Sequence, residues 1–200
     1  SAPPPPPPAA PAVAATPVPI TLTDFLGRQV TLPQPARTFV SLSPSNTEIL
    51  FALGLGPQVV GVTTFDDYPP EVKGIPPVGG MVDPNLEKLV ALAPDLVLVT
   101  GLHEKRGVIA RLEASGLRAL ALDPADMEGI FRSISLVAQA SGRGEAGAGV
   151  VEGLRQRIEA VSTTVARTKE RPRVFFVVFH DPLWTAGQKT FIHDLIEAAG

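Results

Sequence analysis

The spacing of hydrophobic and polar positions along this 200-residue chain changes several times, and each change marks a predicted element. Residues 20–32 (ITLTDFLGRQVTL) alternate apolar and polar side chains around Leu26-Gly27, which predicts an edge hairpin. TFVSL (38–42) predicts a short strand that stops at Ser43-Pro44, because a residue before proline is kept out of the α region. A helix then begins near Asn46, with Ser45 three residues before Glu48 at capping-box spacing, and Gly54 and Gly56 end it. VVGV (59–62) is strand-like again, so a strand, a helix and a strand follow within about 25 residues, as in a βαβ unit.

The alternation continues. Asp83-Pro84 opens a helix through Ala91 with Asp83 as its cap, DLVLVT (95–100) is a buried strand, and 104–115 is a helix closed by Gly116. LRALAL (117–122) is the next strand and 126–140 the next helix. Between Glu145 and Lys169, Val150, Val151, Leu154, Ile158, Val161 and Val165 recur at intervals of three and four. This predicts one long helix bridging two α/β lobes.

The second lobe opens with the apolar strand 173–179 and the helix 190–199, too little to cover that strand on both faces. The expected organisation is a Pro/Ala-rich tether (1–19), a first α/β lobe (20–144), an interlobe helix (145–169) and the start of a second lobe (170–200). On this reading the chain is a fragment, and a matching lobe needs roughly 70 to 100 more residues.

Composition narrows the function classes. Hydrophobic residues make up 44%, enough for a core, and the net charge of −3 offers no basic surface for nucleic acid. With no cysteine, disulfides, thiolate chemistry and cysteine-ligated zinc are excluded. Pro3 to Pro8 are six consecutive prolines, which predict an extended spacer that suits a tether to a membrane or wall equally with a loose terminus.

In open α/β sheets ligands bind beyond the carboxyl ends of the strands. Four such ends are legible: Ser43-Pro44-Ser45, the run TTFDDY with Phe65, Asp66 and Tyr68, the run TGLH with Thr100, Leu102 and His103, and the run FHDPLW with Phe179, His180 and Trp184. The serine-rich end is small and uncharged and lets a ligand approach backbone. Ser43 or Ser45 as a nucleophile needs a base such as His103 or His180, but nucleophile-elbow glycines are absent, so no catalytic role is assigned. The three histidines with Asp66, Asp67 and Asp181 suit a divalent ion without any local ligand spacing, and the plainer role for each is a backbone-bonded loop residue. Aromatics at strand ends suit a large flat ligand; the alternative is that they close the core at its rim.

SLSPSNTEILFALGLG, VVGVTTFDDYPPEVKGIPPVGG and PNLEKLVALAPDLVLVT occur in order. Together they resemble the class III substrate-binding proteins of ABC importers, and FDDYPPE resembles the cobalamin branch of that cobalamin, siderophore and haem family. The resemblance implies two Rossmann-like lobes with parallel sheets joined by one backbone helix, the second lobe incomplete in this chain. It implies a monomeric, non-enzymatic receptor on the periplasmic or extracellular face, without a cofactor of its own, that hands cobalamin or another metal chelate to an importer permease. Haem or ferric-siderophore capture is the alternative within the fold, and a divalent-metal carrier or metallocofactor-binding enzyme the alternative outside it.

By motif position Phe65 resembles an aromatic that packs on the corrin, Met81 and Thr100 stand where some relatives carry tryptophan, and Trp184 resembles the matching aromatic of the second lobe. His103 or His180 is the possible axial ligand to the metal. Glu87 falls at the family's permease-docking glutamate, whose counterpart belongs to the second lobe.

Overall fold

The computed structural model describes residues 18–200. The tether expected at 1–19 therefore lies almost wholly outside the described residues. A hairpin of β1 (Ile20–Thr23) and β2 (Gln29–Leu32) precedes a four-stranded parallel sheet. The sheet order is β4 (Val59–Gly61), β3 (Phe39–Ser41), β5 (Leu96–Val99), β6 (Ala119–Ala121). Helix α1 (Pro44–Ala52) links β3 to β4, α2 (Leu86–Leu92) links β4 to β5, and α3 (Gly101–Lys105) with α4 (Val108–Ala114) links β5 to β6. Then come α5 (Met127–Ala140), α6 (Gly144–Val165), the hairpin β7 (Val177–His180) and β8 (Leu183–Thr185), and α7 (Phe191–Ala199).

The strands sort their side chains between two cores. Phe39, Leu96, Leu98 and Leu120 face α1 and α5, whereas Val40, Val97, Val99 and Ala119 face α2 and α4. All four residues of β5 are fully buried, the signature of a parallel strand covered on both faces. Crossovers therefore run on opposite faces from the two central strands: α1 leaves β3 on one side, and α3 and α4 leave β5 on the other. The sheet has its topological switch between β3 and β5, where open α/β sheets place ligands.

Both edges of the sheet are closed without further strands. Beside β4, Val78 N donates to Val62 O at 2.8 Å and Val62 N to Pro76 O at 3.2 Å. Beside β6, the loop of the first hairpin docks through Asp24. Phe25 N donates to Ala121 O at 3.2 Å, and Ala121 N donates to Asp24 Oδ2 at 3.2 Å. Arg28 donates both to Ala119 O at 3.0 Å and to Asp24 Oδ2 at 2.6 Å. The hairpin thus blunts an edge that otherwise invites pairing with another chain.

Three sequence expectations change. The cap of α1 is Ser43, not Ser45, because Pro44 occupies the first helical position, where no donor is needed, and this moves the start upstream. Asn85, not Asp83, caps α2: its Oδ1 accepts from Lys88 N at 2.9 Å, while residues 79–84 turn back on themselves through a Gly79–Pro84 bridge. The helix expected over 104–115 is two helices, since Gly107 adopts φ +65° and separates α3 from α4.

Helix α6 has 22 residues, at about 1.5 Å per residue a rod of roughly 33 Å. Val150, Val151 and Leu154 seat its first half on the core, and Val161 near its far end is exposed. The run VFFVVF does not form the buried parallel strand its composition suggests. Val174 to Phe179 are all exposed, and β7 pairs antiparallel with β8, since no element of the described chain covers either face of that run. Among the described residues no helix is long and apolar enough to cross a membrane.

Asp24 is 1% exposed and accepts five hydrogen bonds: from Leu26 N, Arg28 N, two Arg28 side-chain nitrogens and Ala121 N. Asp24→Ala leaves the Arg28 guanidinium, itself half-buried, without its inner partner. The expected loss is about 3 kcal/mol of unfolding free energy, read as a lower urea midpoint.

Candidate functional site

The strand ends at the switch point are built from short polar side chains. After β3, Ser41 Oγ donates to Ser43 O at 2.9 Å, and Asn46 N and Thr47 N donate to the same carbonyl at 3.0 and 3.1 Å. Ser43 and Ser45 share a hydroxyl hydrogen bond of 3.0 Å. Ser43 is buried, Pro44 half-buried and Ser45 exposed, so the rim presents small neutral groups over a helix N-terminus. Asn46 reaches across the switch point, its Nδ2 donating to Val99 O at 3.2 Å, and thereby ties the first turn of α1 to the end of β5. Sequence reasoning passed over this asparagine, although its place just after a strand end was the available signal.

His103 is fully buried. Its Nδ1 lies 3.0 Å from Thr100 N and 2.9 Å from Thr100 Oγ1, closing a capping box at the start of α3. A backbone N–H can only donate, so Nδ1 accepts and the ring is the neutral tautomer with its proton on Nε2. Nε2 has no hydrogen-bond partner among the described residues. Neither ring nitrogen is free to ligate a metal without dismantling the cap, which leaves His180 as the exposed candidate axial imidazole. Neither serine hydroxyl is hydrogen-bonded to an imidazole, so the arrangement needed for acyl transfer is not assembled.

After β4, Asp66 folds back to accept from Thr63 N at 2.9 Å and from Thr63 Oγ1, and Phe65 N donates to Thr63 Oγ1 at 3.2 Å. Asp66 Oδ2 therefore holds its own turn, while Oδ1 is buried without a hydrogen-bond partner among the described residues. That turn pushes Phe65 outward, and Phe65 and Tyr68 are each 62% exposed. Met81, half-buried, follows Gly80, whose Cα lies close enough to Phe65 that a Cβ there would stand 3.7 Å from its ring. Leu102 is exposed beside Thr100 on α3.

The second group of predicted residues lies on the β7–β8 hairpin. Phe179 and Trp184 are 50% and 61% exposed, with ring centroids 6.3 Å apart and planes tilted by 60°. His180 stacks beside Phe179 at 5.4 Å. The structure thus brings Ser43, Ser45 and Thr100 to one strand-end surface and Phe179, His180 and Trp184 to another. Glu87 lies apart from both, exposed in the first turn of α2.

A cavity of about 530 Å³ opens beside the switch point, with Ser45 and Thr100 in its wall. Asp123, at the end of β6, belongs to the same wall; the rule that flagged the other strand ends applies equally to Leu122-Asp123-Pro124, but it was not applied there. A second recess of about 840 Å³ runs along α6, away from the strand ends, and is lined by Glu152, Arg155, Glu159 and Arg167. Among the described residues no three His, Asp or Glu side chains are placed to hold a metal ion. The expectation of a divalent-metal carrier therefore finds no ligand set there.

The chain is an α/β lobe with its switch point open, followed by a long helix. The sequence profile of the periplasmic binding proteins matches residues 39–200, and the chain belongs to that family. It is 35% identical over 185 residues to the uncharacterized ABC transporter substrate-binding lipoprotein YvrC of Bacillus subtilis (strain 168), covering 89% of this chain and 58% of that protein. It is 30% identical over 185 residues to the vitamin B12-binding protein of Yersinia pestis (strain Pestoides F), covering 92% and 66%. Among solved structures, the apo periplasmic heme-binding protein RhuT of Roseiflexus sp. RS-1 superposes with a TM-score of 0.72 at 30% identity, covering 82% of this chain and 64% of that one. The chain spans a little under two thirds of the length of these relatives.

Burial pulls the His103 pKa below the ordinary histidine value of 6.5 and outweighs the nearby backbone of Met81 and Leu42, which favours the charged ring. On acidification the unfolded chain takes up this proton first. The contribution to stability is complete above the unfolded value and is lost as the pH falls through the lowered folded value. Urea midpoints measured from pH 7.5 to 5 are expected to fall across that window in the native protein. His103→Gln, which supplies a non-titrating acceptor at the same capping position, is expected to flatten that fall.

Proposed function

We propose that the protein captures a cobalamin-like corrinoid at the strand-end rim and delivers it to an ABC importer on the extracytoplasmic side of a membrane. The observation that carries this reading is the set of exposed aromatics, Phe65 and Tyr68 on one surface and Phe179 and Trp184 on the other, beside a rim of small uncharged groups. Exposed rings offer a flat macrocycle area burial and stacking, and neutral backbone donors suit amide-bearing edges. The likeness to a vitamin B12-binding protein points the same way. The work is binding rather than catalysis, with no cofactor other than the cargo itself.

Glu87 is the proposed contact with the permease, exposed and free of the ligand rim. One receptor docking on one importer fits a monomer. The Pro/Ala-rich start of the chain suits by composition a spacer between a membrane anchor and the lobe, in keeping with a lipoprotein among the relatives.

Haem capture is the second reading, favoured by the likeness to RhuT and by the exposed imidazole of His180. Trp184 is the sole tryptophan, so its fluorescence reports on the hairpin directly. Titration with cyanocobalamin is expected to quench it saturably with matching calorimetric heat, and Phe65→Ala or Trp184→Ala to weaken binding about tenfold. Absence of binding to cyanocobalamin, together with a haem Soret shift that His180→Ala abolishes, overturns the corrinoid reading in favour of haem. In a reconstituted importer Glu87→Ala is expected to lower uptake while ligand affinity stays unchanged; unchanged uptake removes Glu87 from the interface.

A further inference from the structure

The cavity beside the switch point is built for one kind of ligand arm. Ile49 of α1, Ile134 of α5 and Val150 and Leu154 of α6 form an apolar interior, and Ser45, Thr100 and Asp123 stand where the strands β3, β5 and β6 end. At about 530 Å³ the space is ample for a side arm of a larger ligand.

Its charges have one sign. The charged side chains in its wall are Glu48 and Asp123, with no lysine, arginine or histidine beside them. None of the described ion pairs involves either carboxylate. The Asp123 carboxylate also occupies a position that the chain keeps clear. A Cβ on Gly101 would lie 2.3 Å from Asp123 Oδ2, so the carboxylate rests against the bare backbone at the first position of α3, and a side chain there would turn it aside. Glu48 and Asp123 are both exposed, so a carboxylate arriving at this wall meets two like charges at its solvent side and no cation in the lining. An N–H donor meets a charge-assisted acceptor.

We infer that this cavity receives an arm of the bound chelate that carries an amide or ammonium donor on an apolar stem, that it rejects a carboxylate arm, and that Asp123 decides between them. The inference rests on the reading of the protein as a chelate receptor, and it assigns to Asp123 the choice between amide-edged and acid-edged ligands.

Small probes test the cavity without any macrocycle. Methyl-labelled protein is titrated with butylammonium, butyramide and butyrate at pH 7, following the methyl signals of Ile49, Ile134 and Leu154. Saturable shifts are expected with the ammonium and the amide and not with butyrate, and Asp123→Asn is expected to narrow the ammonium-over-butyrate preference about tenfold. Equal binding of butyrate and butyramide, or an order that Asp123→Asn leaves unchanged, overturns the inference.

The same variant is then compared with cyanocobalamin and with its monocarboxylate, in which one propionamide is hydrolysed. Native protein is expected to favour the amide form about tenfold and Asp123→Asn to level the two. Tight cyanocobalamin binding without that discrimination sinks the role of Asp123 and spares the receptor reading. Ordered binding of the small probes without cyanocobalamin binding supports the cavity assignment and sinks the corrinoid.

Discussion

Burial of the β3–β5 pair on both faces is the constraint on which the rest of this structure depends. Parallel strands have no hairpin to join them and leave apolar faces open unless helices cover both sides, so the crossovers must be shared between the two faces. Phe39, Leu96 and Leu98 point to α1 and α5, and Val40, Val97 and Val99 to α2 and α4. The connection that leaves β3 thus runs over one face and the one that leaves β5 over the other, which leaves an opening between the two strands. The strand-end rim is thus a by-product of how a fully buried strand pair must be wired.

The opening is held by polar groups that the core cannot satisfy. Asn46 spans it to Val99 O, and His103 turns inward to accept the N–H of Thr100. A buried imidazole fixed as an acceptor is positioned rather than available, and this divides the two histidines that sequence could not separate. His103 belongs to the framework, and His180 stands in the open beside Phe179. The carboxylates divide as well: Asp66 holds its own turn through Oδ2, whereas Asp123 lines a cavity with no cation in its wall.

Membership of the periplasmic binding proteins accounts for the one feature that a self-contained lobe does not require. Helix α6 leaves the core after Leu154 and carries the chain to a hairpin whose Val174 to Phe179 run is exposed throughout. A run so apolar is at odds with water, and its aromatic end places Phe179 and Trp184 where a ligand can reach them.

The sequence by itself determined the alternation of strands and helices in the first lobe, the α/β class and the long helix after it. Each follows from local periodicity: DLVLVT is apolar at every position but its ends, and the interval of three and four from Val150 to Val165 admits only a helix. It also placed Phe65 at the turn after a strand, because Asp66, Asp67 and Pro69 mark that turn, whereas Trp184, expected in a turn, lies on β8 paired with Phe179. Helix starts were less legible, since Ser43 and Ser45, or Asp83 and Asn85, are equally good caps in composition, and the choice falls to where Pro44 and the Gly79–Pro84 bridge set the backbone. Only the tertiary structure decided which polar side chains face inward, because His103, Asn46 and Asp123 owe their roles to strands brought beside them from distant parts of the chain. Periodicity reports which face of an element is buried, and the partner buried against it is fixed only when the sheet is assembled.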